Sequence, residues 1–443
     1  MNLPENARNL IELIEQSGYE AYAVGGSVRD YLLGKPCDDL DITSSATPFE
    51  LEKILDEKKI KYIETGLKHG TLTVLMNGEP FEVTTFRTDG EYFDSRHPDT
   101  VNFVRDLKED LSRRDFTINA MAYSDKKGIV DLFGGKEDLE NKIIRTVGEP
   151  DKRFGEDALR IMRAVRFSAV LGFDIEDETK QSIFRNKEKL LSVSYERLFA
   201  ELSKLLMGEY AFDALMEYRD VIAVFIPEIK DSFDFPQRSK WHLYDVWEHI
   251  CHTVKNSPYD LNIRLTMLLH DIGKPFCQST DEKGSDHFYG HPKVSAELAG
   301  EALKRLKVSN AVYDEVITLI NYHDIKLRPE KKIIKRWLSR LGYDTLKKLM
   351  IVKRADMLSQ NTDLTVDEIP YIDEIDAMID EILNEAEPFT VKELEINGYD
   401  LMELGVTGKR IGVILSTLLD LVISEELENT KDSLLDYVKR KMI

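Results

Sequence analysis

Residues 21–44, AYAVGGSVRDYLLGKPCDDLDITS, decide how the first part of the chain folds. The apolar run Ala21 to Val24 predicts a short strand that enters a turn at Gly25-Gly26. Ser27 is a typical helix N-cap and Gly34 a typical helix stop, so we expect a short helix between them. This succession of strand, glycine turn and helix predicts a mixed α/β head.

The glycine turn is also a predicted phosphate site. Amides at a helix N-terminus donate hydrogen bonds to phosphate oxygens, and glycine lets the backbone approach closely. Arg29 adds a positive charge one turn into the helix. We therefore predict that Gly26, Ser27 and Arg29 bind a nucleotide. The segment lacks the eight-residue G-x-x-x-x-G-K-[ST] pattern, which argues against a P-loop NTPase.

Two carboxylates follow the predicted helix. Asp39 and Asp41 flank Leu40 in a predicted second strand, so they share one face while Leu40 points into the core. Paired ionised carboxylates need cations, and their hard oxygen atoms select Mg²⁺, as in two-metal phosphoryl transfer. A D-x-D pair alone is more often an acidic turn exposed to water. The preceding glycine turn favours the catalytic interpretation.

The composition indicates several domains and no membrane anchor. A chain of 443 residues is expected to form two to four domains, and its three cysteines match no disulfide framework. No apolar run approaches the roughly 18 residues of a membrane span, so we expect a cytoplasmic protein. A net charge of −21 argues against non-specific nucleic-acid binding, but basic residues between Arg113 and Arg166 permit a local basic cleft.

Further local signals predict the remaining elements. Thr47-Pro48-Phe49-Glu50 is a capping box that opens a helix toward Glu57. Thr71 to Met76 and Phe81 to Phe86 alternate in strand fashion around Asn77-Gly78-Glu79-Pro80 and predict a hairpin. Beyond about Asp151 apolar residues recur at intervals of three and four, which predicts an almost wholly helical chain with a joint at Pro227 to Trp241.

The segment GGSVRDYLLGKPCDDLDITSSATP resembles the signature of the tRNA nucleotidyltransferase and poly(A) polymerase family, in particular the bacterial class II CCA-adding enzymes. The match continues through FEVTTFRTDGEYFDSRHPDTVNF, EDLSRRDFTINAMAY, DLFGGKEDLENKIIRTVG and RFGEDALRIMRAVRF, over roughly residues 20–205. The resemblance implies a polymerase-β-like nucleotidyltransferase head, Mg²⁺ as its cofactor, and tRNA, CTP and ATP as partners.

The resemblance also assigns roles to residues. The paired aspartates that bind the catalytic metals correspond to Asp39 and Asp41, and Glu82 on a later strand is either a third carboxylate or a surface glutamate. Base selection falls to Asp157 and Arg160, which one helix would place side by side. A carboxylate beside a guanidinium complements the amino donor and ring-nitrogen acceptor of cytosine and adenine. The alternative is an ordinary intrahelical salt bridge.

Two further features concern the nucleotide. Arginines downstream of the carboxylates are expected to hold the triphosphate, or else to form a solvated basic stripe; they are Arg113, Arg114, Arg163 and Arg166. Residues 89–98, DGEYFDSRHP, predict an exposed loop. In the family such a loop accompanies the switch to ATP, which argues against an enzyme that adds only CC. It leaves open full CCA addition and addition of the last A alone.

Seven of the nine histidines lie between His242 and His323. His270-Asp271 at the end of an apolar helix resembles the HD phosphohydrolase domain. The resemblance implies a divalent transition metal, which the mixed ligands do not identify among manganese, iron, nickel and zinc. His242, His252 and His287 are expected to be ordinary side chains. The implied ligands are His249, His270, Asp271, His291, His323 and Asp356.

These patterns predict an α+β fold with a head at 1–150, a helical neck at 151–235, an HD domain at 236–360 and a helical tail at 361–443. The predicted activity is template-independent addition of CCA to tRNA. An A-adding enzyme or a poly(A) polymerase shares the same motifs and is one alternative. A metal phosphohydrolase whose main activity lies in the HD region is the other. The sequence leaves open whether the HD region hydrolyses phosphoesters or has a structural role. The oligomeric state is left open.

Overall fold

A computed structural model describes residues 1, 3–36, 40–89, 101–385 and 387–443, with the backbone alone at Asp89. The chain forms two compact units, Met1–Pro227 and Glu228–Ile443. The boundary between them lies at the start of the predicted Pro227–Trp241 joint. The first unit is mixed α/β and the second is almost wholly helical, which confirms the predicted α+β class.

The first unit is built on a mixed sheet. Its strands are β1 (Ala21–Val24), β2 (Asp41–Ser44), β3 (Lys61–Gly66), β4 (Thr71–Met76), β5 (Glu79–Thr85), β6 (Arg87–Asp89), β7 (Val101–Phe103), β8 (Met121–Ser124), β9 (Gly128–Asp131), β10 (Ile143–Ile144) and β11 (Asp174–Ile175). Seven of them form one sheet in the order β3-β4-β5-β2-β1-β8-β9. Within it β2 and β5 run parallel, and the other neighbours run antiparallel.

The hairpin of β4 and β5 is tighter than predicted. Met76 pairs with Glu79, so the turn holds only Asn77 and Gly78 rather than four residues. Both turn residues have positive φ, 53° and 89°, as a two-residue hairpin turn that matches strand twist requires. Pro80 therefore lies inside β5, opposite Leu75.

The helices of the first unit are α1 (Glu5–Gln16), α2 (Gly26–Leu32), α3 (Pro48–Glu57), α4 (Leu107–Ser112), α5 (Gly135–Glu140), α6 (Pro150–Glu156), α7 (Leu159–Leu171), α8 (Asp177–Asn186), α9 (Tyr195–Leu206), α10 (Ala211–Glu217) and α11 (Arg219–Ile222). The capping box at Thr47 and Glu50 is present as predicted. The prediction that Ser27 is the N-cap of α2 is wrong. Gly25 takes that position, and the Ser27 hydroxyl donates to the Val24 carbonyl at 3.0 Å.

The two faces of the sheet pack against different layers. Ala21, Ala23, Ile42 and Val83 belong to a core shared with α1 and α3. On the opposite face Tyr22, Val24 and Phe86 pack with Leu107 and Leu111 of α4. Leu40 packs against the first core, as predicted. Because side chains alternate along a strand, Asp41 lies on the face of α4.

The second unit contains α12 (Val246–Asn256), α13 (Leu261–Leu269), α14 (His291–Arg305), α15 (Asn310–Tyr322), α16 (Lys331–Leu341), α17 (Tyr343–Met357), α18 (Thr362–Thr365), α19 (Ile369–Asn384), α20 (Gly398–Glu403), α21 (Lys409–Ile423) and α22 (Lys431–Lys441). Two short strands, β12 (Ser279–Thr280) and β13 (Asp286–His287), interrupt them. Among the helices described, none has the length and apolar character needed to cross a membrane.

Candidate functional site

The register of three neighbouring strands places the predicted carboxylates. Val24, the last residue of β1, pairs with Asp41 at the start of β2. On its other side β2 pairs in parallel with β5, and Ile42 lies opposite Val83, which brings Asp41 beside Glu82. Both acidic residues are exposed. The structure thus brings two predicted carboxylates together at one edge of the sheet, whereas Asp39 lies outside the described residues.

The glycine turn adjoins this edge. Gly25 has a φ of 76°, and a Cβ built on it would lie 3.0 Å from the Nη1 atom of Arg114. A side chain here would therefore strain the backbone and displace the arginine. Burial lowers the pKa of Arg114, and Asp41 is among the carboxylates that oppose this. Asp41, the turn and Arg114 consequently belong to one site, next to the predicted phosphate-binding residues Gly26 and Ser27.

A carboxylate that sequence reasoning missed organises the predicted arginines. Asp110 is fully buried and pairs with Arg113 at 2.9 Å and with Arg114 at 3.4 Å. It also accepts hydrogen bonds from the Thr43 hydroxyl of β2 and the Arg87 amide. Burial would raise the pKa of Asp110, but the charges of both arginines lower it. The spacing of three and four residues in DLSRR was the available signal.

A second arginine group surrounds one aromatic ring. The guanidinium carbons of Arg29, Arg163 and Arg166 lie 5.0, 5.5 and 3.9 Å from the ring centre of Phe167. Arg29 comes from α2 and the others from α7, so the ring joins the two helices. Cations over an aromatic face are attracted by its quadrupole. The structure therefore brings three of the predicted phosphate-binding residues together.

Carboxylates fix the orientation of this arginine group. Asp115 pairs with Arg163 at 2.6 Å, and Glu201 of α9 pairs with Arg166 at 2.7 Å. Burial alone would raise the pKa of Asp115, but Arg163 and hydrogen bonds lower it to about 2. Asn119 accepts from Arg29 at 2.7 Å and donates to Asp115 at 3.1 Å. Asp115 and Asn119 therefore have a structural role, since they hold Arg163 and Arg29 in place.

The predicted base-selecting pair does not lie on one continuous helix, so that expectation was wrong. Helix α6 ends at Glu156, and Asp157 is extended, with φ −139° and ψ 106°, before α7 begins at Leu159. Asp157 pairs with Arg197 at 2.8 Å, whereas Arg160 pairs with Glu156 at 2.7 Å. The two residues remain linked by a backbone hydrogen bond from the Arg160 amide to the Asp157 carbonyl at 3.0 Å.

All six predicted ligands in the second unit converge at helix ends. Asp271 is the centre: its Oδ2 lies 3.3 Å from His249 and 3.2 Å from His270, and its Oδ1 lies 3.1 Å from His291 and 3.6 Å from His323. The Oδ1 atom of Asp356 lies 3.0 Å from His249. All but Asp356 are buried. Residues that are far apart in sequence thus form one cluster of imidazole and carboxylate groups.

The hydrogen bonds of the imidazoles match those of metal ligands. The Nδ1 atoms of His270, His291 and His323 each lie 2.7 to 2.8 Å from a backbone carbonyl, and that of His249 lies 3.2 Å from one. A carbonyl only accepts, so each Nδ1 carries a proton, and each Nε2 atom faces the carboxylate of Asp271 in the cluster. This second hydrogen bond is what orients metal-binding histidines.

Several buried atoms in the cluster have charged or polar neighbours but no hydrogen bond of good geometry. Within the described chain the Nε2 atoms of His249 and His270 and both carboxylate oxygens of Asp271 are buried and make no hydrogen bond of good geometry. Such groups are costly unless an ion or another partner satisfies them. His249, His270 and Asp271 form one three-ligand group, and Asp271, His291 and His323 form another. The donor set fits a divalent metal ion.

The histidines expected to be ordinary lie outside this ligand set. His287 pairs with the exposed Asp281, and His252 stacks on Tyr244. His242 contacts Lys274 at 3.3 Å and packs edge to face on the ring of His249, and burial lowers its pKa to about 3. Lys274, which sequence reasoning did not single out, is buried and pairs with Asp271 at 2.6 Å.

The chain is similar in sequence and in structure to known nucleotidyltransferases. Residues 21–145 match the family described as Poly A polymerase head domain, residues 172–233 a probable RNA and SrmB-binding site of polymerase A, and residues 288–438 a tRNA nucleotidyltransferase domain 2. A CCA-adding enzyme of Pediococcus pentosaceus is 34% identical over 98% of both chains. One from Geobacillus thermodenitrificans is 44% identical over 56% of this chain and 63% of its own. The Bacillus stearothermophilus CCA-adding enzyme in complex with CTP superposes with a TM-score of 0.75 at 31% identity, covering 100% of this chain and 98% of that one.

Asp110→Ala tests whether this carboxylate stabilises the head. Its removal leaves Arg113 and Arg114 without their buried counter-ion, so we expect the free energy of unfolding to fall by about 3–5 kcal/mol. Urea denaturation of the full chain measures the change. Glu109→Ala is the matched control, because Glu109 lies on the same helix but is exposed, and its loss should cost under about 1 kcal/mol. Equal stability of the two variants would contradict the role of Asp110.

Proposed function

The chain belongs to the family of CCA-adding enzymes, and on that premise we propose that it adds CMP and AMP units from CTP and ATP to the 3′ end of tRNA without a nucleic-acid template. The oxygen of the terminal 3′-hydroxyl attacks the α-phosphorus, the hydroxyl proton is lost, and pyrophosphate leaves. The observation that carries the proposal is the strand register that sets Asp41 beside both the glycine turn and Glu82.

The carboxylates at the edge of the sheet, Asp41 and Glu82, supply the metal site of the head. Asp41 and Glu82 offer hard oxygen atoms from adjacent strands on one face, which fits Mg²⁺. We assign Asp39 to the same site from its place in the family motif. Mg²⁺ held there would neutralise the triphosphate and activate the attacking hydroxyl. The catalytic carboxylates are therefore Asp39, Asp41 and Glu82.

The arginines and the glycine turn hold the triphosphate in this proposal. Amides of Gly26 and Ser27 at the start of α2 donate to phosphate oxygens. The arginine groups around Asp110 and Phe167 add positive charge near the turn, where Arg114 lies close to Gly25 and Arg29 close to Gly26. Each guanidinium has five N–H donors, so one already held by a carboxylate retains donors for phosphate. These arginines are Arg29, Arg113, Arg114, Arg163 and Arg166.

Base choice rests on Asp157 and Arg160. Arg197 and the Leu159 amide hold the Asp157 carboxylate, while Glu156 and the Arg113 carbonyl hold the Arg160 guanidinium. Both groups are thus oriented before a nucleotide binds, and each retains hydrogen-bonding capacity. Cytosine and adenine present an amino donor to the Asp157 carboxylate and a ring-nitrogen acceptor to the Arg160 guanidinium. Uracil and guanine present the inverted pattern and would leave buried polar groups unpaired.

We further propose that residues 236–360 form an HD domain that binds a divalent transition metal and hydrolyses phosphoesters. The convergence of His249, His270, Asp271, His291, His323 and Asp356 favours this second activity. A metal held there would polarise the phosphoester and activate water. Residues 1–150 serve as the catalytic head, 151–235 as the neck and 361–443 as the tail.

Incorporation of labelled CTP and ATP into tRNAs ending before CCA, at C and at CC tests the proposed function. We expect all three to be extended to CCA in the presence of Mg²⁺. Asp41→Asn removes one metal-binding charge and is expected to lower kcat by at least about a hundredfold, because electrostatic stabilisation of this size is typical of catalytic groups. Glu79→Gln, an exposed residue at the far end of β5, is the control.

Three outcomes of that assay are distinct. Extension of the tRNA ending at CC alone would select the A-adding alternative. Repeated addition of A to unrelated RNA would select a poly(A) polymerase. No incorporation into any of them would contradict the proposal.

His270→Ala tests the metal site of the HD domain. After incubation with Mn²⁺ and dialysis, we expect the wild-type chain to retain metal and the variant to lose it, because a fully buried ligand of the cluster is missing. Plasma mass spectrometry measures the bound metal. His287→Ala, which removes a half-buried histidine outside the cluster, is expected to retain metal as the wild type does. Equal retention by His270→Ala would contradict the assignment.

A further inference from the structure

Helix α16 carries its positive charges in two rows, which differ in whether carboxylates pair with them. Its sequence, KKIIKRWLSRL, places Lys331 and Lys335 on one row, and Lys332, Arg336 and Arg340 on another, because residues four apart lie on the same side of a helix. Successive members of a row are about 6 Å apart along the axis.

Carboxylates neutralise the first row. Lys331 pairs with Glu381 at 2.8 Å, Glu385 at 3.0 Å and Glu387 at 3.2 Å. Lys335 is buried and also pairs with Glu387. This is the expected result in a chain with 81 acidic and 60 basic residues, where most cations have a carboxylate available.

The second row has no carboxylate within 4 Å in the described part of the chain, and all three residues are exposed. Lys332 donates to the Ser424 carbonyl at 2.7 Å, and Arg336 donates to the Ser424 hydroxyl at 3.0 Å. Both contacts are to neutral groups, so the two positive charges persist. They also hold one end of each side chain in place.

Aromatic rings extend this row at Arg340. Its guanidinium carbon lies 5.1 Å from the ring centre of Tyr322 and 5.4 Å from that of Trp337. The two rings pack edge to face, with centres 5.5 Å apart. A guanidinium stacked on aromatic faces keeps its in-plane N–H donors for an oxygen anion, and such stacked arginines are typical of phosphate recognition.

We propose that Lys332, Arg336 and Arg340, with Trp337 and Tyr322, form an RNA-binding face that contacts successive phosphates of the substrate. The net charge of −21 repels a polyanion, so RNA binding needs a local row of cations without carboxylate partners. Regular spacing of these cations suits a polymer of phosphates. The identity of that RNA as tRNA rests on the proposed function.

Equilibrium binding of labelled tRNA ending before CCA, without nucleotides and over a range of salt concentrations, tests this face. The variant is Lys332→Gln/Arg336→Gln/Arg340→Gln in the full chain. We expect its Kd to rise roughly tenfold or more at low salt, and the slope of log K against log salt to fall by about 2–3, near one per lost phosphate contact. A Kd and slope equal to those of the wild type would overturn the proposal.

The control has the same change in net charge. Lys331→Gln/Lys347→Gln/Lys348→Gln removes three cations that already pair with carboxylates, so its salt slope should stay that of the wild type. Equal weakening by both variants would overturn the proposal, since it would show a general charge effect. If the triple variant does not fold, Arg336→Gln and Arg340→Gln are measured singly, each with an expected slope change of about one.

Two more outcomes separate this face from its competitors. If polyglutamate of equal charge displaces tRNA from the wild type as well as unlabelled tRNA does, the face binds anions in general and the RNA proposal fails. If the wild type binds tRNA through this face but extends no tRNA end, the proposed function fails and the RNA-binding face is supported. If the wild type does not bind tRNA, both fail.

Discussion

Backbone hydrogen bonds pair Val24 with Asp41 and Ile42 with Val83, and the site in the head depends on this register. A shift of one residue would turn Asp41 toward the core of α1 and α3 and bring Ile42 to the site. The apolar residues of β2 and β5 that face the core prevent such a shift, because Ile42 and Val83 are buried in that core. The same contacts that fold the sheet therefore place the carboxylates beside the glycine turn.

Carboxylates compensate the buried arginines around this edge of the sheet. Asp110 pairs with two arginines beside β2. The ring of Phe167, together with Asp115 and Glu201, contacts three more arginines, which belong to α2 and α7. An arginine buried without a carboxylate would be strongly destabilising. Pairing removes that cost while leaving N–H donors for phosphate. In the second unit the buried charge is the carboxylate of Asp271, and four imidazoles surround it.

Local patterns predicted much of this architecture. The capping box at Thr47 and the strand at Ala21 to Val24 follow from residue types and spacing, and the structure confirms both. The six HD residues came from the resemblance to the HD domain, and the structure brings them close together. Asp157 and Arg160 show the limit of spacing arguments. The helix breaks at Asp157, which Arg197 of α9 holds in an extended conformation, and contacts from distant elements are not encoded in local periodicity. Asp110 was missed for the same reason, since its burial depends on tertiary packing.

The central claim is that protein side chains, rather than a template, choose cytosine and adenine. The most direct measurement is kcat/KM for CTP, ATP, UTP and GTP on tRNA ends, for the wild type and for Asp157→Asn, which exchanges a pure acceptor for a mixed donor and acceptor. The account predicts that the wild type rejects UTP and GTP, and that the variant loses this discrimination by a factor of roughly ten or more. Unchanged discrimination in a folded Asp157→Asn variant would contradict it.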